Sequence, residues 1–221
     1  EKVMLKGAIS YVSVEQARKN MLAELPGWDF EQVKQASFSE WNDWLGRIEV
    51  EGGSREQQIK LYTDLWHALL GRHVVSDADG HYMDMTSDFP RIRQIPLGED
   101  GKPLYNHHNF DAWWGSHWSL NILWSMAYPE VMDNFCNTMT DMYQNGGLIP
   151  RGPSGGNYTY VMIGDPAVSF FASAYNKGIC NYDAELAYEG LRKNAFVGGI
   201  RDHAGYEHSK TAHSGGMKYY E

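Results

Sequence analysis

A series of helix-length apolar patterns, separated by short turn signals, constrains the fold of this chain more than any other sequence feature. From Ser13 onward, apolar residues recur at helical spacing, and breakers such as Gly52-Gly53 and Tyr128-Pro129 divide the patterns. The spacing predicts a mainly α fold made of helical hairpins. The predicted helices begin at Ser13, at about Asp29 and at Ser54, and later ones occupy about 112–127, 129–145, 160–177 and 182–196.

Local capping signals support the first helix starts. Ser13 can cap the first helix, and Ser54 with Gln57 forms a capping box for a third helix that runs to about Leu70. Helix pairs joined by long loops on one side fit an α/α toroid, whereas a solenoid requires a fixed repeat period that the sequence lacks. The predicted core face of the third helix contains Ile59, Tyr62, Leu65, Trp66 and Leu69.

The first residues carry the one convincing strand pattern of the first half of the chain. Val3 to Val12 is rich in β-forming residues with partial alternation. Because a lone strand needs partners, we expect the other strands of its sheet to come from sequence outside this chain. A start at Glu1 rather than at Met agrees with a segment of a longer protein.

Composition and charge exclude several classes of partner. The formal net charge is -9 and Lys and Arg form no cluster, so a nucleic acid would be repelled. The sequence contains no run of about 18 apolar residues, so no membrane span is predicted. The 8 Trp, 14 Tyr and 8 Phe suit either a large core or a pocket that stacks on sugar rings. Cys136 and Cys180 are predicted to be buried thiols rather than a disulfide.

Two loop clusters are candidates for binding chemistry. Asp77-Ala-Asp79-Gly resembles the opening of a calcium loop but lacks its later ligands, which leaves an Asx turn or sugar-hydroxyl binding as alternatives. Residues 107–118 include three His, yet their spacing does not complete a zinc site. Trp113 and Trp114 point about 100° apart on a predicted helix, so one is expected to face a pocket while the other packs, unless both are structural.

The Gly- and Pro-rich segment 150–159 and the Asp that follows it are further candidates. Backbone amides and Arg151 before a predicted helix start suit an anion, although an ordinary tight connection fits equally well. The spacing is not that of a P-loop, so no nucleotide is implied. Asp165 either lines the same cavity or solvates a helix turn. The remaining His residues of the tail are expected at the surface: His203, His208 and His213.

Eight strings along the chain resemble, in order and spacing, the pattern of calcium-dependent α-mannosidases of glycoside hydrolase family 92. Each string is weak alone, but their common order from residue 12 to residue 188 is specific. The strings are Val12-Ser-Val-Glu-Gln-Ala17, Pro26-Gly-Trp-Asp-Phe30, Arg47-Ile-Glu-Val50, Tyr62-Thr63 with Trp66-His-Ala-Leu-Leu70, Ser76-Asp-Ala-Asp-Gly80, Gly147-Leu-Ile-Pro150, Met162-Ile-Gly164 and Asp183-Ala-Glu-Leu-Ala-Tyr188.

The resemblance implies an N-terminal β-sandwich followed by an (α/α)6 barrel, with the pocket between them. Residues 1–12 would then be the last strand of the sandwich, residues 13–53 the connecting helices, and residues 54–221 the first part of the barrel. A Ca²⁺ cofactor that binds the sugar hydroxyls is also implied, with its ligands expected outside this chain. The implied partner is a mannose-containing glycan, and a secreted or periplasmic location is expected from the family alone.

The same resemblance places Tyr158 where the family has its catalytic acid. The family's string is Gly-Asn-Glu-Thr, and a phenol, which titrates near about 10, is a poor substitute for a carboxylic acid of raised pKa. The family's Trp-Asp-Thr helix start is altered as well, to Trp113-Trp114-Gly115. The implied substrate-binding residues are Asp77, Asp79, Trp113, Trp114, His117, Arg151, Asn157 and Asp165.

Two functions from different classes follow from the missing acid. A leaving group that is already acidic, such as phosphate, needs little protonation, so the whole protein can be a hydrolase of mannosyl phosphodiesters with Arg151 at the phosphate. Alternatively, it is a glycan-binding or degenerate homologue that no longer catalyses hydrolysis. Because the family's base lies in downstream motifs, the 221-residue chain alone is expected to be inactive.

Overall fold

The computed structural model describes residues 3–110, 113–158 and 164–203. The chain divides into two compact units, residues 1–71 and residues 72–221. The described residues form seven α-helices and four short β-strands. The mainly α fold predicted from the sequence is therefore confirmed.

The first unit contains the helices α1 (Val14–Glu24), α2 (Phe30–Leu45) and α3 (Arg55–Leu70). Each begins where a polar side chain accepts a hydrogen bond from the backbone amide three residues later, which satisfies one of the free N–H groups of the first turn. The capping box predicted for α3 is confirmed. The three capping residues are Ser13, Asp29 and Ser54.

The strand predicted over Val3 to Val12 is not formed. Residues 3–12 have no strand assignment, and Val3, Leu5 and Ile9 are exposed. A strand is defined by its hydrogen-bonded neighbour, and no described residue pairs with this segment. Its membership in a β-sandwich remains a prediction.

The predicted core face of α3 is correct only in part. Leu65 and Leu69 are buried, whereas Ile59 is 56% exposed and Trp66 is 37% exposed. The apolar stripe of α2 is also uncovered, since none of its residues is buried. Three helices of this length cannot cover all of their own apolar faces, because so small a unit has a high ratio of surface to volume.

The second unit begins with two short antiparallel pairs. Strand β1 (His73–Val74) pairs with β4 (His108–Asn109), and β2 (His81–Asp84) pairs with β3 (Arg91–Gln94). A tight turn over residues 77–80 leads into β2, with Gly80 at a φ of 85° that favours glycine. Residues 73–109 thus contain four short strands in two separate pairs.

Four helices follow: α4 (Leu120–Ala127), α5 (Pro129–Gly146), α6 (Ala167–Asn176) and α7 (Ala184–Asn194). The predictions for α5 and α7 are confirmed to within two residues at each end. The helix predicted from residue 112 is wrong over residues 113–119, where Gly115 at a φ of 84° leads into a short 3-10 helix, Ser116–Trp118. The helix predicted from residue 160 begins at Ala167, because Gly164 has a φ of 80°; residues 159–163 lie outside the described residues.

Helix α5 is the centre of the second unit and contacts α4, α6 and α7. Eleven of its side chains are buried, and Phe135 joins an aromatic cluster in the core. Ring stacking and edge-to-face contacts add to the burial of these large apolar surfaces. The cluster consists of Phe110, Trp113, Trp124, Phe135 and Phe170.

The contact between α7 and α5 depends on a glycine. A Cβ atom at Gly190 would lie 2.7 Å from Cγ1 of Ile149 and 2.8 Å from Cγ of Tyr143. We expect Gly190→Val to lower the free energy of unfolding by about 1–3 kcal/mol through overpacking, as measured by urea denaturation. Tyr188→Val, on the exposed side of α7, is the control and should change it by no more than about 0.5 kcal/mol. Equal losses in both variants would contradict the proposed close packing.

Candidate active site

Tyr158 lies in the loop after α5 and is buried, at 4% exposure. Its hydroxyl donates a hydrogen bond to the carbonyl of Met142, at 2.6 Å, and accepts one from the amide of Leu148, at 3.1 Å. The side chain packs in an apolar cluster with Met142, Leu148 and Ile200. The phenol therefore joins the end of α5 to the chain that leaves it.

The last turn of α5 has glycines where the backbone and Tyr158 require them. A Cβ atom at Gly146 would collide with the Tyr158 hydroxyl and would lie 2.5 Å from Cβ of Thr86. Gly147 ends the helix in a left-handed conformation, with a φ of 89°. The hydroxyl of Tyr158 can reach the helix only because residue 146 has no side chain.

Backbone hydrogen bonds hold the rest of this loop. The amide of Gly155 donates to Oδ1 of Asn109 at 2.6 Å, and the amide of Met85 donates to the carbonyl of Gly156 at 3.2 Å. Oδ1 of Asn157, a predicted substrate ligand, accepts from the amide of Tyr158 at 2.7 Å. The ends of β2 and β4 thus fix the loop that carries Tyr158.

Arg151 lies inside the protein rather than at its surface, with only 2% of the residue exposed. Nε donates to the carbonyl of Gly164 at 2.8 Å, and a terminal guanidinium nitrogen donates to the carbonyl of Ile200 at 2.6 Å. Its own carbonyl accepts from the amide of Trp113 at 3.4 Å. The role of Arg151 as an anion ligand remains a prediction, and these contacts give it no support.

The side chain of Asp165 is completely buried, although its backbone is partly exposed. Nε of Arg201 lies 3.8 Å from one carboxylate oxygen. Neither oxygen has a hydrogen-bond donor among the described residues. Burial raises the pKa of Asp165 to about 6, against the opposing effects of Arg201, Asn194 and Arg151. Because its side chain is buried, Asp165 does not have the second of its two predicted roles, that of solvating a helix turn.

The Asp77–Asp79 segment forms a turn. Oδ1 of Asp79 accepts from the amide of His81 at 3.3 Å and lies 2.8 Å from Nδ1 of the same residue, while the amide of Gly80 donates to the carbonyl of Asp77 at 2.8 Å. This geometry favours the Asx-turn alternative over an independent calcium loop. Within the described parts of the chain, no group of three or more His, Cys, Asp or Glu side chains could hold a metal ion.

The two neighbouring tryptophans have different environments. Trp113 is fully buried, with its ring centroid 4.2 Å from that of Phe170 and 4.7 Å from that of Phe135. Trp114 is 66% exposed, and His117 is exposed as well. Trp113 is thus a core residue in this structure, and sugar binding by Trp114 and His117 remains a prediction.

A buried polar layer beside α5 was missed by the sequence reasoning. The Tyr105 hydroxyl lies 2.9 and 3.0 Å from the two carboxylate oxygens of Asp141, and Nδ2 of Asn145 donates to the Tyr82 hydroxyl at 3.1 Å. The His107 ring stacks on Tyr82 at a centroid distance of 4.1 Å, and burial lowers its pKa to about 3. No sequence signal pointed to this layer, because residues 105 and 141 meet only through the fold.

The pKa of Asp141 predicts how stability changes with pH. Burial raises this pKa to about 6 from 3.8, so the folded state keeps a proton that the unfolded state has lost between these values. The free energy of unfolding should therefore fall as the pH rises from about 4 to 6. Asp141→Asn should raise it at pH 7 by about 1–3 kcal/mol and reduce this slope, as measured by urea denaturation across pH. Asp43→Asn, at an exposed position, should leave the slope unchanged; a slope unaltered by Asp141→Asn would contradict the assignment.

The hydroxyl of Tyr158 should contribute measurably to stability. Tyr158→Phe leaves the buried amide of Leu148 without its acceptor and should lower the free energy of unfolding by about 1–3 kcal/mol. Tyr188→Phe, at a residue that is 68% exposed, is the matched control and should have almost no effect. If the two variants unfold at the same denaturant concentration, the hydrogen bonds of Tyr158 contribute nothing.

The fold defines a mainly α-helical protein of the kind seen in solved glycoside hydrolases. The α-mannosidase BT3965 from Bacteroides thetaiotaomicron is similar with a TM-score of 0.74 and 26% identity, over 83% of this chain and 23% of that one. The inverting mannosidase BT2199 from the same organism is similar with a TM-score of 0.72 and 25% identity, over 84% of this chain and 24% of that one.

Residues 16–221 match the family model described as the glycosyl hydrolase family 92 catalytic domain, and the chain belongs to this family. An uncharacterized secreted glycosidase of Arthroderma benhamiae is 27% identical over 199 residues, which cover 89% of this chain and 20% of that protein. The chain therefore spans less than a quarter of these relatives. No described helix is both long and apolar enough to cross a membrane.

Proposed function

We propose that the full-length protein carrying this chain is a Ca²⁺-assisted, inverting glycoside hydrolase that acts on terminal α-mannosides and prefers acidic leaving groups, such as mannosyl phosphodiesters. Family membership supports a hydrolase. The names of the similar solved proteins, an α-mannosidase and an inverting mannosidase, support the sugar and the stereochemistry. The name of the Arthroderma benhamiae relative supports a secreted location. The chain alone is proposed to be inactive.

The environment of Tyr158 carries the leaving-group proposal. An inverting glycosidase needs one acid to protonate the leaving oxygen and one base to activate water. By resemblance Tyr158 holds the position of the acid, yet its single hydroxyl proton is directed to the carbonyl of Met142 and the residue is 4% exposed. It would have to leave two hydrogen bonds before it could reach a substrate. Bond cleavage must then rely on a leaving group that departs with little protonation.

The described residues do not fit a calcium site. They include no suitable group of acidic or imidazole side chains, and Asp79 already contacts His81. We therefore assign the cation and the base of the proposed reaction to residues outside the described parts of this chain. The mannose-containing glycan is the proposed partner, and the exposed side chains of Trp114 and His117 are the candidates for contact with it.

A glycan-binding homologue without catalysis is the second candidate. The same residue favours this candidate. Tyr158 packs as part of the core, so its side chain makes a structural contact where a catalytic group would be expected. Both candidates retain a mannose pocket. They differ in whether the glycosidic bond is broken.

A mannose-release assay with the full-length protein tests the proposal. A mannosyl phosphodiester and an activated aryl mannoside should be hydrolysed, and α-1,2-mannobiose should be hydrolysed at least about 100-fold more slowly, since a positioned general acid contributes on the order of 10²–10⁴. Mannose binding without turnover of any of the three substrates would establish the binding homologue instead. Faster hydrolysis of mannobiose than of the phosphodiester would contradict the leaving-group preference.

Two controls accompany this assay. A chelator should abolish turnover and added Ca²⁺ should restore it, if the cation is required. Tyr158→Phe should leave the ratio of phosphodiester to mannobiose hydrolysis unchanged, because the hydroxyl is not proposed to protonate the leaving group.

A further inference from the structure

The side chains of Arg151, Asp165 and Arg201 form a charged cluster next to the apolar cluster that contains Tyr158. Arg151 is buried and cannot be deprotonated in a protein, so its charge persists inside the fold. Asp165 is buried without a hydrogen-bond donor among the described residues, and Arg201 approaches it to 3.8 Å while remaining half exposed. Asn194 of α7 is the uncharged neighbour of Asp165, and its Nδ2 donates to the carbonyl of Ile149 at 2.8 Å.

Arg151 joins the two chain segments that carry Asp165 and Arg201. Its guanidinium binds the carbonyl of Gly164, the residue before Asp165, and the carbonyl of Ile200, the residue before Arg201. These two hydrogen bonds bring residues 164–165 and residues 200–201 together. The ion pair between Asp165 and Arg201 then links the same two segments a second time.

This double link lies directly against the candidate site. Ile200 belongs to the apolar cluster that contains Tyr158, Met142 and Leu148. Its position depends on a sharp return of the chain after α7, where Gly198 has a φ of 84° and the amide of Gly199 donates to the carbonyl of Phe196. Any shift of the Arg201 segment therefore moves one wall of the cluster around Tyr158.

We propose that Asp165 is a positioning residue, whose negative charge holds Arg201, and through Ile200 the Tyr158 loop, in its place against α5. The inference rests on the proposed function in one respect, namely that this loop forms part of the mannoside pocket. Asp165 does not contact the reacting atoms itself. It acts through Arg201.

The buried charge of Asp165 should lower the free energy of unfolding of the whole protein. A positioning role therefore differs from ordinary stabilisation, because the charge holds the loop while it destabilises the fold. Burial raises its pKa to about 6, so near pH 7 an ionised carboxylate is maintained against its environment. Among the described residues, the charged groups that face it are Arg201 from the segment after α7 and Arg151 from the loop after α5. Removing the charge should make the protein more stable overall while it loosens the loop.

Asp165→Asn in the full-length protein tests whether the charge destabilises the whole protein while it holds the loop. At pH 7 its melting temperature should rise by about 2–4 °C, while amide hydrogen exchange of residues 148–158 should become at least about fivefold faster. In the wild-type protein the same exchange, corrected for its intrinsic pH dependence, should accelerate between pH 7 and 5 as Asp165 is protonated. The variant should show no such change. For the mannosyl phosphodiester, kcat should fall at least about fivefold with little change in KM.

Two further variants complete the test. Asp141→Asn removes another carboxylate whose pKa burial raises to about 6, and it should raise the melting temperature without affecting exchange of residues 148–158. Arg201→Lys retains the positive charge and should keep most of the protection that Arg201→Met loses. A lower melting temperature for Asp165→Asn, or unchanged exchange of the loop, would overturn the proposal. If the wild-type protein hydrolyses no mannoside, the proposed function fails, and the exchange data still decide the role of Asp165.

Discussion

The buried guanidinium of Arg151 is the constraint on which the candidate site depends. A permanent charge at 2% exposure must satisfy its donors inside the protein, and here two of them bind the carbonyls of Gly164 and Ile200. Segments that are far apart in sequence are thereby joined behind one loop. The Gly- and Pro-rich loop is consequently held by a charge in the interior.

At the end of α5, the Tyr158 side chain makes a structural contact. A catalytic acid must be exposed to the leaving group, whereas the Tyr158 hydroxyl is directed into the last turn of the helix. Gly146 provides the space for this contact, and Leu148 provides a second hydrogen bond. The loop that carries Tyr158 is therefore held by contacts that an exposed side chain could not make.

The sequence predicted the features that local physics determines, and missed those that depend on distant residues. Ser13 and Ser54 predicted helix starts because a cap contacts amides only three residues away, and the patterns of α5 and α7 gave their bounds. Local patterns could not predict which of Trp113 and Trp114 packs in the core, or that Arg151 is buried, since these environments depend on rings or carbonyls that the fold brings from far along the chain. The strand predicted over Val3 to Val12 is not formed, because a strand needs a hydrogen-bonded partner and periodicity does not show whether one is present.

The cost of Asp165 bears on the choice between an enzyme and a degenerate homologue. A pocket that only binds sugar through exposed side chains gains nothing from an ionised carboxylate that is buried 3.8 Å from Arg201 and has no direct hydrogen-bond donor among the described residues. A neutral residue there is expected to be more stable. Such a charge is useful where the position of the neighbouring loop must be fixed closely, as in catalysis, in which small displacements have large effects on rate. The proposed loss of the acid at position 158 is thus accompanied by a buried charge that we propose to keep the loop in place. Together these features favour a hydrolase that relies on its leaving group.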